Sequence, residues 1–483
     1  MRPTLRLLEP QLPTNRLIDL CWLRRDLRLH DNHALFQALQ GDVSVACVFI
    51  FDPQLLDELE QDSKQVAFMY ACLQSLQTDL RRHGSELIIA YGPAERELPR
   101  LARQCNSQIV YANRDYEPYA KHRDHLVGQS LLAQACTLQL YKDQVIFEQD
   151  EVLTGQGAPY SVFTPYWRKW LLQLGNIGVP SFDSLSACHR LLPLAPLALP
   201  SLTELGFSEH TLTKLLIQAG SAAAQEALQK FSTRLHLYEQ NRDFPAVNGV
   251  SRLSPHLRFG TLSIRQCVEQ CWPSDSAGAS CWLKELAWRD FYQQFLWHYP
   301  DTATQSFKSE YQNLEYSNNE DWWLAWCTGQ TGYPLIDAAQ RQLLHSGYMH
   351  NRLRMISASF LVKDLLIDWR RGERFFAQHL IDYDQAANVG GWQWAASTGC
   401  DAQPYFRIFN PITQSQKFDP KGDFIRRYVP ELAALDNKSI HAPWLSRQLP
   451  LEFRLGLHYP APIVDHSTQR ELALALYKRS SDS

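Results

Sequence analysis

Five short apolar runs in the first third of the chain constrain its fold more than any other feature. They cover residues 17–23, 44–51, 86–91, 108–112 and 137–141, and segments of helical periodicity separate them. One such segment places apolar side chains at the spacing of a helix that covers a sheet: Val66, Met69, Tyr70, Leu73, Leu76 and Leu80. Strands that alternate with helices predict an α/β doubly wound domain with a parallel sheet, whose ligand crevice lies at the carboxyl ends of the strands.

The rest of the chain has a different pattern. Residues 147–221 read as irregular and include a proline-rich run at 191–200, in which the prolines exclude a regular helix. Beyond Ala222 strand signals nearly vanish and aromatic-rich helical patterns dominate. We therefore predict an α/β domain over residues 17–146, a long linker over 147–221 and an all-helical C-terminal domain over 222–483.

Composition narrows the class of protein. The 14 tryptophans and 12% aromatic residues exceed what packing alone requires, which favours stacking surfaces or an electron path. The formal net charge of -4 means that any contact with nucleic acid depends on a local basic patch. The α/β part has no Gly-x-Gly-x-x-Gly and no P-loop, which disfavours a dehydrogenase or a nucleotide hydrolase.

Cysteine usage and hydropathy predict where the protein works. The 11 cysteines include no Cys-x-x-Cys, and Cys267 with Cys271 indicates a buried helix face instead of a metal or disulfide site, so we predict no metal site. No apolar run reaches about 18 residues, and the N-terminus has no continuous apolar segment. We expect a cytoplasmic protein without membrane association, and nothing in the sequence requires more than a monomer.

The segment between Tyr348 and Trp394 carries the densest chemistry. It joins Met349-His-Asn-Arg-Leu-Arg-Met355 to Asp382-Tyr-Asp384, Asn388 and Gly390-Gly-Trp-Gln-Trp394. Acids, an amide and arginines beside indole rings can hold a flat, polar, redox-active ring near aromatic electron donors.

Together with Leu23-Arg-Arg-Asp-Leu-Arg-Leu-His-Asp-Asn32 and Trp282-Leu-Lys-Glu-Leu-Ala-Trp-Arg289, this segment resembles the DNA photolyase and cryptochrome family. The resemblance is closest to bacterial class I photolyases, which repair cyclobutane pyrimidine dimers, and it extends from about residue 17 to residue 471. It implies an enzyme, a deoxyribodipyrimidine photolyase, that acts on ultraviolet-damaged DNA by electron transfer from excited, reduced anionic FAD. The alternative is a cryptochrome-like blue-light photoreceptor without repair activity.

The resemblance implies one FAD in the helical domain. Ser251, Arg252 and Ser254 suit a pyrophosphate, while Arg354 with Asp382 suits the isoalloxazine and its anionic reduced state. Asn388 would lie opposite the flavin N5 atom, where repair enzymes carry Asn and signalling members often carry Asp or Cys. Val389 departs from the second Asn common in close relatives. The implied FAD-binding residues are Tyr238, Val250, Ser251, Arg252, Leu253, Ser254, Trp282, Glu285, Arg289, Asn351, Arg354, Asp382, Asp384 and Asn388.

The resemblance also implies a pocket for a dimer flipped out of the DNA stack. Trp288 and Trp394 match its stacking walls, Glu285 and Asn351 its polar contacts, and Met355 a residue packed against the dimer. Asn351 stands where relatives that repair the (6-4) photoproduct carry a second His, so the weaker interpretation is (6-4) repair. We predict phosphate contacts from Arg242, Arg352, Arg407 and Lys417.

A tryptophan relay that reduces resting flavin matches Trp392 and Trp369 in the family, but its outermost position falls on Tyr316. Two possibilities follow: a Trp-Trp-Tyr relay, or a detour through Trp322, Trp323 or Trp326.

The resemblance further implies an antenna chromophore in the α/β domain. The run Asn113-Arg-Asp-Tyr-Glu-Pro-Tyr119 resembles the 8-hydroxy-5-deazaflavin group, whose ligands would be Arg25, Phe49, Asp115, Glu117 and Arg258. Methenyltetrahydrofolate is the alternative. The folate-binding group has an Asn-Glu pair where this chain has Tyr119 and Ala120, so we favour the deazaflavin.

Overall fold

The computed structural model describes residues 16–401 and 407–481, whose contacts form two compact units. Unit 1 consists of the described residues up to Tyr160 together with Thr164–Leu235 and Ser251–Pro300. Unit 2 consists of Ser161–Phe163, His236–Val250 and the described residues from Asp301 onward. The predicted boundaries after residues 146 and 221 stay predictions, because this division groups residues by contacts in space.

The described residues of unit 1 form one parallel sheet in the order β3-β2-β1-β4-β5. All five residues of β1 and seven of the eight in β2 are buried, as expected for strands covered on both faces. The predicted α/β parallel-sheet domain is confirmed, with each strand within one residue of its apolar run. The strands are β1 (Ile18–Trp22), β2 (Ser44–Phe51), β3 (Leu87–Tyr91), β4 (Ile109–Asn113) and β5 (Thr137–Tyr141).

Helices cover the sheet and continue into the predicted linker. The helix predicted from Val66 to Leu80 begins after its N-cap Ser63, whose side chain accepts from the Val66 backbone N–H at 3.4 Å. The helices up to residue 232 are α1 (His33–Ala38), α2 (Pro53–Leu56), α3 (Lys64–Arg82), α4 (Ala94–Gln104), α5 (Pro118–Leu132), α6 (Phe163–Ile177) and α7 (Ser221–Ser232).

The linker is more ordered than its sequence suggests. Helix α6 lies inside it, and Tyr166, Trp170 and Leu174 are buried on one of its faces at helical spacing, a pattern that the sequence interpretation overlooked. The proline-rich run stays irregular and packs on the sheet, where the Leu192 N–H donates to the Val45 carbonyl at 2.8 Å and the Leu197 N–H to Glu86 at 2.9 Å. These contacts hold the proline-rich run against the sheet, and the linker over residues 147–221 stays a prediction.

The regular secondary structure of the remaining described residues is helical. Among the described residues from Ala222 onward no strand occurs, which confirms the predicted all-helical part. The helices are α8 (Tyr238–Asn241), α9 (Ser254–Arg258), α10 (Ile264–Glu269), α11 (Ala277–His298), α12 (Glu320–Thr328), α13 (Pro334–Ser346), α14 (Asn351–Ser359), α15 (Trp369–His379), α16 (Gln385–Ala396), α17 (Pro411–Phe418), α18 (Asp423–Tyr428) and α19 (His466–Ser481).

A buried charge cluster joins α10 to the loop after β1 within unit 1. Asp143 accepts from Arg28 and Arg265, each at 2.8 Å, and Arg265 also pairs with Asp31 at 2.9 Å. Burial alone would raise the pKa of Asp143, but the two guanidinium groups outweigh it and hold the pKa below its usual range. The cluster therefore fixes the α9–α10 segment against the sheet.

Unit 2 has its own core around α12, α13, α14, α15 and α16. Trp326, Trp369 and Trp392 are 0%, 1% and 2% exposed within it. Helices over the described part of the chain are all too short or too polar to cross a bilayer.

Candidate flavin, substrate and antenna sites

The start of α16 fixes the acidic and amide residues predicted around the flavin. Asp384 is the N-cap, and its carboxylate accepts from the Ala387 N–H at 3.0 Å. One turn further, Asn388 lies on the same side of the helix as the cap. Asp382-Tyr-Asp384 thus leads directly into α16, the helix that carries Asn388, Trp392 and Trp394.

Arg354 and Asp382 form a partly buried ion pair. Nη2 of Arg354 lies 2.9 and 2.7 Å from the two carboxylate oxygens, and Nε donates to the Met349 carbonyl at 2.8 Å. The Asp382 side chain is 2% exposed and that of Arg354 is 25% exposed. The carboxylate is therefore held in place, while part of the guanidinium faces open space.

Asn388 has a fixed amide orientation. Its Nδ2 donates to the Glu373 carboxylate at 2.9 Å and to the Glu373 carbonyl at 3.2 Å. Because both partners can only accept, the amide nitrogen must point toward α15 and Oδ1 must point away. The Tyr383 hydroxyl also donates to Glu373, at 3.2 Å. Glu373 is buried, and the sequence interpretation did not single it out.

The predicted substrate residues of unit 2 lie on α14 and α16. Asn351 is exposed at the first turn of α14, and Met355 lies one turn later on the same face. Trp394 on α16 is partly buried and lines a cavity with Lys363 and Phe409; its ring centroid is 6.3 Å from that of Phe409. These side chains are of the types that stack on and contact a base.

Lys363 is a second residue that the sequence interpretation missed. Its Nζ donates to Ser397 Oγ at 2.8 Å and to the Arg407 carbonyl at 2.6 Å. Burial lowers the pKa of Lys363 to about 7. Its position in a helical segment of mainly apolar residues gives no signal in the sequence, because only the fold shows which long side chain is buried.

Three of the four predicted phosphate contacts lie together in unit 2. Arg352 donates to Asp243 at 2.7 Å and stacks 4.6 Å over the Phe418 ring, and Lys417 lies 5.1 Å from the same ring. Arg242 is 3.9 Å from the same carboxylate. Arg407 is exposed and sits apart, over the Phe409 ring at 5.3 Å.

The predicted flavin and substrate residues of unit 1 lie on α11 and in the segment from Ser251 to Ser254, whose last residue begins α9. Trp282, Glu285 and Arg289 follow one another on one face of α11. Trp282 is buried edge-on against Phe231 at 4.8 Å, and the Arg289 guanidinium donates to the Gln144 carbonyl.

Trp288 is partly exposed on a neighbouring stripe of α11. Its ring centroid is 5.5 Å from that of Phe291 and 5.4 Å from that of Tyr292. The indole is thereby held by aromatic neighbours on its own helix.

The segment from Ser251 to Ser254 has an unusual backbone. Arg252 has φ +55°, in the left-handed region that a side-chain-bearing residue seldom adopts. Ser251 Oγ accepts from the Leu253 N–H at 3.4 Å. Val250 and Tyr238 belong to unit 2, where Tyr238 is buried beneath the Arg242 guanidinium at 5.6 Å.

The predicted relay residues all lie in unit 2. Trp392 packs against Gly372 on α15, the helix that begins at Trp369. Trp369 donates from its indole nitrogen to Ser306 Oγ at 3.4 Å. Burial raises the pKa of the Tyr316 hydroxyl above its usual range.

The predicted antenna residues converge at the carboxyl ends of β1, β2 and β4. Glu117 accepts from Arg25 at 2.9 Å and from Arg258 at 2.7 Å, and Arg25 also pairs with Asp115 at 3.1 Å. Burial alone would raise the pKa of Asp115, but the surrounding arginines hold the pKa below its usual range. Phe49 is buried on β2. The order β2-β1-β4 makes this edge the topological switch point of the sheet, where ligands bind in such folds.

Backbone contacts bring Arg258 to this edge. The Leu27 N–H donates to the Phe259 carbonyl at 3.0 Å, and Gly260 has φ +61°. A Cβ at Gly260 would lie 2.5 Å from the Asp26 Cα, so the close approach requires glycine.

Tyr119 stands at one of the two positions where the folate-binding group has its Asn-Glu pair, but here its side chain makes a contact within the protein. Its hydroxyl donates to Asp52 at 2.6 Å, at the carboxyl end of β2. The Asp52 carboxylate at the crevice therefore already accepts a hydrogen bond from within the protein.

These donor sets fit a flavin. A fixed carboxylate, a guanidinium with open surface and an amide oxygen held in one orientation are the groups that recognise the edge of an isoalloxazine ring.

Comparison with known proteins agrees with that chemistry. A family model described as the FAD binding domain of DNA photolyase matches residues 282–479, and one described as DNA photolyase matches residues 19–183. The deoxyribodipyrimidine photo-lyase of Synechococcus is 41% identical over 474 residues, covering 95% of this chain and 96% of that protein. The chain belongs to the DNA photolyase family.

Solved structures of photolyase relatives share the whole fold. A bacterial class III photolyase from Agrobacterium tumefaciens has a TM-score of 0.86 at 34% identity, covering 98% of this chain and 99% of that one. A Synechocystis cryptochrome has a TM-score of 0.85 at 28% identity, covering 96% of this chain and 99% of that one. The fold is thus shared by a photolyase and a cryptochrome, so the fold alone does not separate these two groups.

Proposed function

We propose that this protein is a light-dependent deoxyribodipyrimidine photo-lyase that uses FAD to split cyclobutane pyrimidine dimers in DNA. The carrying observation is the amide of Asn388, whose nitrogen is committed to Glu373 and whose oxygen is therefore free to face the flavin. Photo-lyases at about 40% identity over most of the chain support the same reaction.

FAD, when bound, supplies the light-excited electron that opens the cyclobutane ring. The residues proposed to hold it are Arg354, Asp382, Asp384, Asn388, Asn351 and Tyr238 of unit 2, with Val250 beside the segment Ser251, Arg252, Leu253, Ser254 and with Trp282, Glu285 and Arg289. Arg354 places a positive charge that favours an anionic ring, and Asp382 keeps that guanidinium oriented. Asn388 Oδ1 can accept a hydrogen bond at N5 but has no acidic proton to give it.

The substrate residues hold the dimer and exclude water. Trp288 and Trp394 offer indole faces for stacking, Glu285 and Asn351 offer polar contacts to base edges, and Met355 offers an apolar surface. No side chain is required as a nucleophile, because the ring opens after one electron arrives and the electron then returns.

Phosphates of the damaged strand are proposed to contact Arg242, Arg352, Lys417 and Arg407. The first three lie around Phe418, and Arg352 keeps its position through Asp243 and the Phe418 ring. Such contacts position the strand without reading its sequence.

The antenna is proposed to be 8-hydroxy-5-deazaflavin, bound where Arg25, Phe49, Asp115, Glu117 and Arg258 meet. Two arginines flanking a carboxylate can pair with a phenolate-like oxygen or a phosphate on the chromophore. Tyr119 and Ala120 stand where the folate-binding group has an Asn-Glu pair, so the carboxylate that would contact a pterin there is missing, which disfavours methenyltetrahydrofolate; the Tyr119 hydroxyl donates to Asp52 instead. We propose a monomer as the working form.

The test is repair of an ultraviolet-irradiated oligothymidine by protein whose flavin has been reduced with dithionite. Recovery of thymine absorbance under blue or near-ultraviolet light, and none in the dark, is the expected result. Bound, reduced flavin with no recovery would replace the repair function by that of a photoreceptor.

A further inference from the structure

An acidic residue, Asp243, lies among the cations proposed to contact phosphates. Its Oδ1 accepts from Arg352 Nη2 at 2.7 Å and from Arg352 Nε at 3.3 Å, and Arg242 Nε is 3.9 Å from the same oxygen. A carboxylate repels the phosphates of DNA, so a surface built only to attract a polyanion would not include one. Asp243 therefore has a role other than attraction.

Three contacts fix the Arg352 guanidinium within unit 2. Nε and Nη2 donate to Asp243, Nη1 donates to Met355 Sδ at 3.7 Å, and the flat face lies 4.6 Å from the Phe418 ring centroid. A guanidinium is planar, so holding one edge and one face also determines where the other edge points. The Asp243 carboxylate thereby directs Nη1 toward Met355.

Met355 is the apolar surface proposed for the dimer, and it needs such a neighbour to be ordered. It is half-buried on the face of α14 that also carries Asn351. An unbranched thioether side chain is flexible and adopts several rotamers. Its sulfur is a weak hydrogen-bond acceptor, so the contact with Nη1 restrains it. Arg352 therefore connects the phosphate cluster to the wall of the dimer pocket.

The turn that carries Asp243 is itself held in place. The Phe244 ring lies edge-on at 6.5 Å from that of Phe418, the ring on which Arg352 stacks. The Phe244 N–H donates to the Asn241 carbonyl at 3.2 Å, and the Val247 N–H donates to the Phe244 carbonyl at 3.1 Å. The carboxylate is thus presented by an ordered backbone and does not simply follow the arginine.

The charge and the geometry of Asp243 act differently on the two kinds of DNA. Its negative charge weakens the attraction of damaged and undamaged strands alike, because both carry the same phosphates. An ordered pocket wall helps only the strand whose dimer leaves the stack and enters the pocket. Selectivity is the ratio of the two affinities, so only the geometric effect changes it.

We propose that Asp243 is a positioning residue that raises selectivity for damaged DNA, because it holds Arg352 against Met355 and so orders the wall of the dimer pocket. This inference rests on the proposed function, since it assigns a further residue to the same dimer-binding site. The carboxylate makes no contact with the strand itself.

The experiment measures dissociation constants of the full chain with FAD bound, in the dark, by fluorescence anisotropy. One oligonucleotide contains a single thymine dimer and the other has the same sequence without it. In Asp243→Ala we expect tighter binding of the undamaged strand and a fall of about threefold to tenfold in the ratio of the two constants, as for the loss of about 1 kcal/mol of positioning. Asp321→Ala is the matched control, because it removes the same charge at an exposed position of α12. A ratio in Asp243→Ala equal to that of the unmodified chain would overturn the proposal.

Met355→Leu separates positioning from loss of charge. Leucine has a similar volume and no sulfur acceptor, so this variant breaks the contact with Nη1 and leaves every charge in place. The ratio should fall in Met355→Leu, and adding Asp243→Ala should lower it little further, because both changes break one connection. Independent, multiplying losses in the double variant would contradict that connection.

The unmodified chain distinguishes the two levels of inference. Equal affinity for both oligonucleotides would remove the proposed function and this inference with it. Selective binding by the unmodified chain, with the same ratio in Asp243→Ala, would remove only this inference.

Discussion

Glu373 is the residue on which the orientation of Asn388 depends. Replacing Glu373 by Ala removes the carboxylate that accepts from the amide nitrogen at 2.9 Å and leaves only the backbone carbonyl at 3.2 Å, so the amide is held less firmly and can turn its nitrogen toward the flavin. A net hydrogen bond is worth about 1 kcal/mol, and we expect a several-fold fall in repair rate. Single-turnover repair by the reduced protein measures it.

Glu373→Gln is the matched control for that prediction. Its side-chain oxygen can still accept from Asn388, so most of the repair rate should remain. If Gln and Ala reduce the rate equally, the negative charge of Glu373 matters and the orientation of Asn388 does not.

Asp290 gives a second prediction at the residue scale, on stability. Its Oδ2 accepts from the N–H groups of Ile146 and Phe147 and from the Trp170 indole, at 3.0, 3.2 and 3.0 Å. Burial raises the pKa of Asp290 to about 6. Between its ordinary pKa near 4 and this value, the folded protein holds a proton that the unfolded chain has released. Asp290 therefore lowers the free energy of unfolding as the pH rises through that window.

Asp290→Asn removes this titration and keeps an oxygen for the three donors. We expect the difference between its free energy of unfolding and that of the unmodified protein to shift in favour of the variant from pH 4 to 6, by at most about 3 kcal/mol, and to be constant above pH 6. Urea unfolding at several pH values tests this, with exposed Asp62→Asn as the control. A difference that does not change with pH would show that Asp290 is not the titrating group.

At the scale of elements, α15 and α16 pack so closely that position 372 of α15 has no room for a side chain. A Cβ at Gly372 would collide with the Trp392 ring and lie 2.6 Å from Leu361 Cδ2. Gly372→Ala should therefore lower the free energy of unfolding by about 1–3 kcal/mol, the usual cost of overpacking. Urea unfolding measures the loss.

Gly391 on α16 provides the matched comparison. A Cβ there meets no atom within 4 Å, and the residue is exposed. Gly391→Ala should raise the free energy of unfolding by about 0.4–1 kcal/mol, because it restricts the unfolded chain. Destabilisation by both variants would mean that α16 itself, and not its contact with α15, is sensitive.

Elements were easier to predict from the sequence than the partners of single residues. Each strand carries its own apolar run, so β1 to β5 were found to within one residue. Helix α6 was missed although Tyr166, Trp170 and Leu174 recur at helical spacing, because the irregular, proline-rich sequence that follows led all of residues 147–221 to be interpreted as a linker. Glu373 and Lys363 were missed because their importance comes from contacts with Asn388 and Arg407, which are distant in sequence.

At the scale of the whole molecule, charge decides how DNA is bound. The chain has 47 basic and 51 acidic residues, so it gains no attraction to a polyanion from its net charge. Attraction to DNA must therefore come from the proposed phosphate contacts. The number of these contacts can be measured from the dependence of DNA affinity on salt concentration. Each phosphate contact contributes about -0.9 to the slope of log K against log salt on duplex DNA.

Lys417→Met should therefore reduce that slope by about one and weaken binding to damaged and undamaged DNA alike, since a phosphate contact carries no sequence information. Lys417 is exposed and lies over the Phe418 ring, so losing its charge leaves the core intact. Lys230→Met is the control, because Lys230 is exposed on α7 and pairs with Glu226 one turn away. Titrations of both variants at several salt concentrations decide the matter: an unchanged slope in Lys417→Met would exclude a phosphate contact there. A loss confined to damaged DNA would instead assign Lys417 to the dimer pocket.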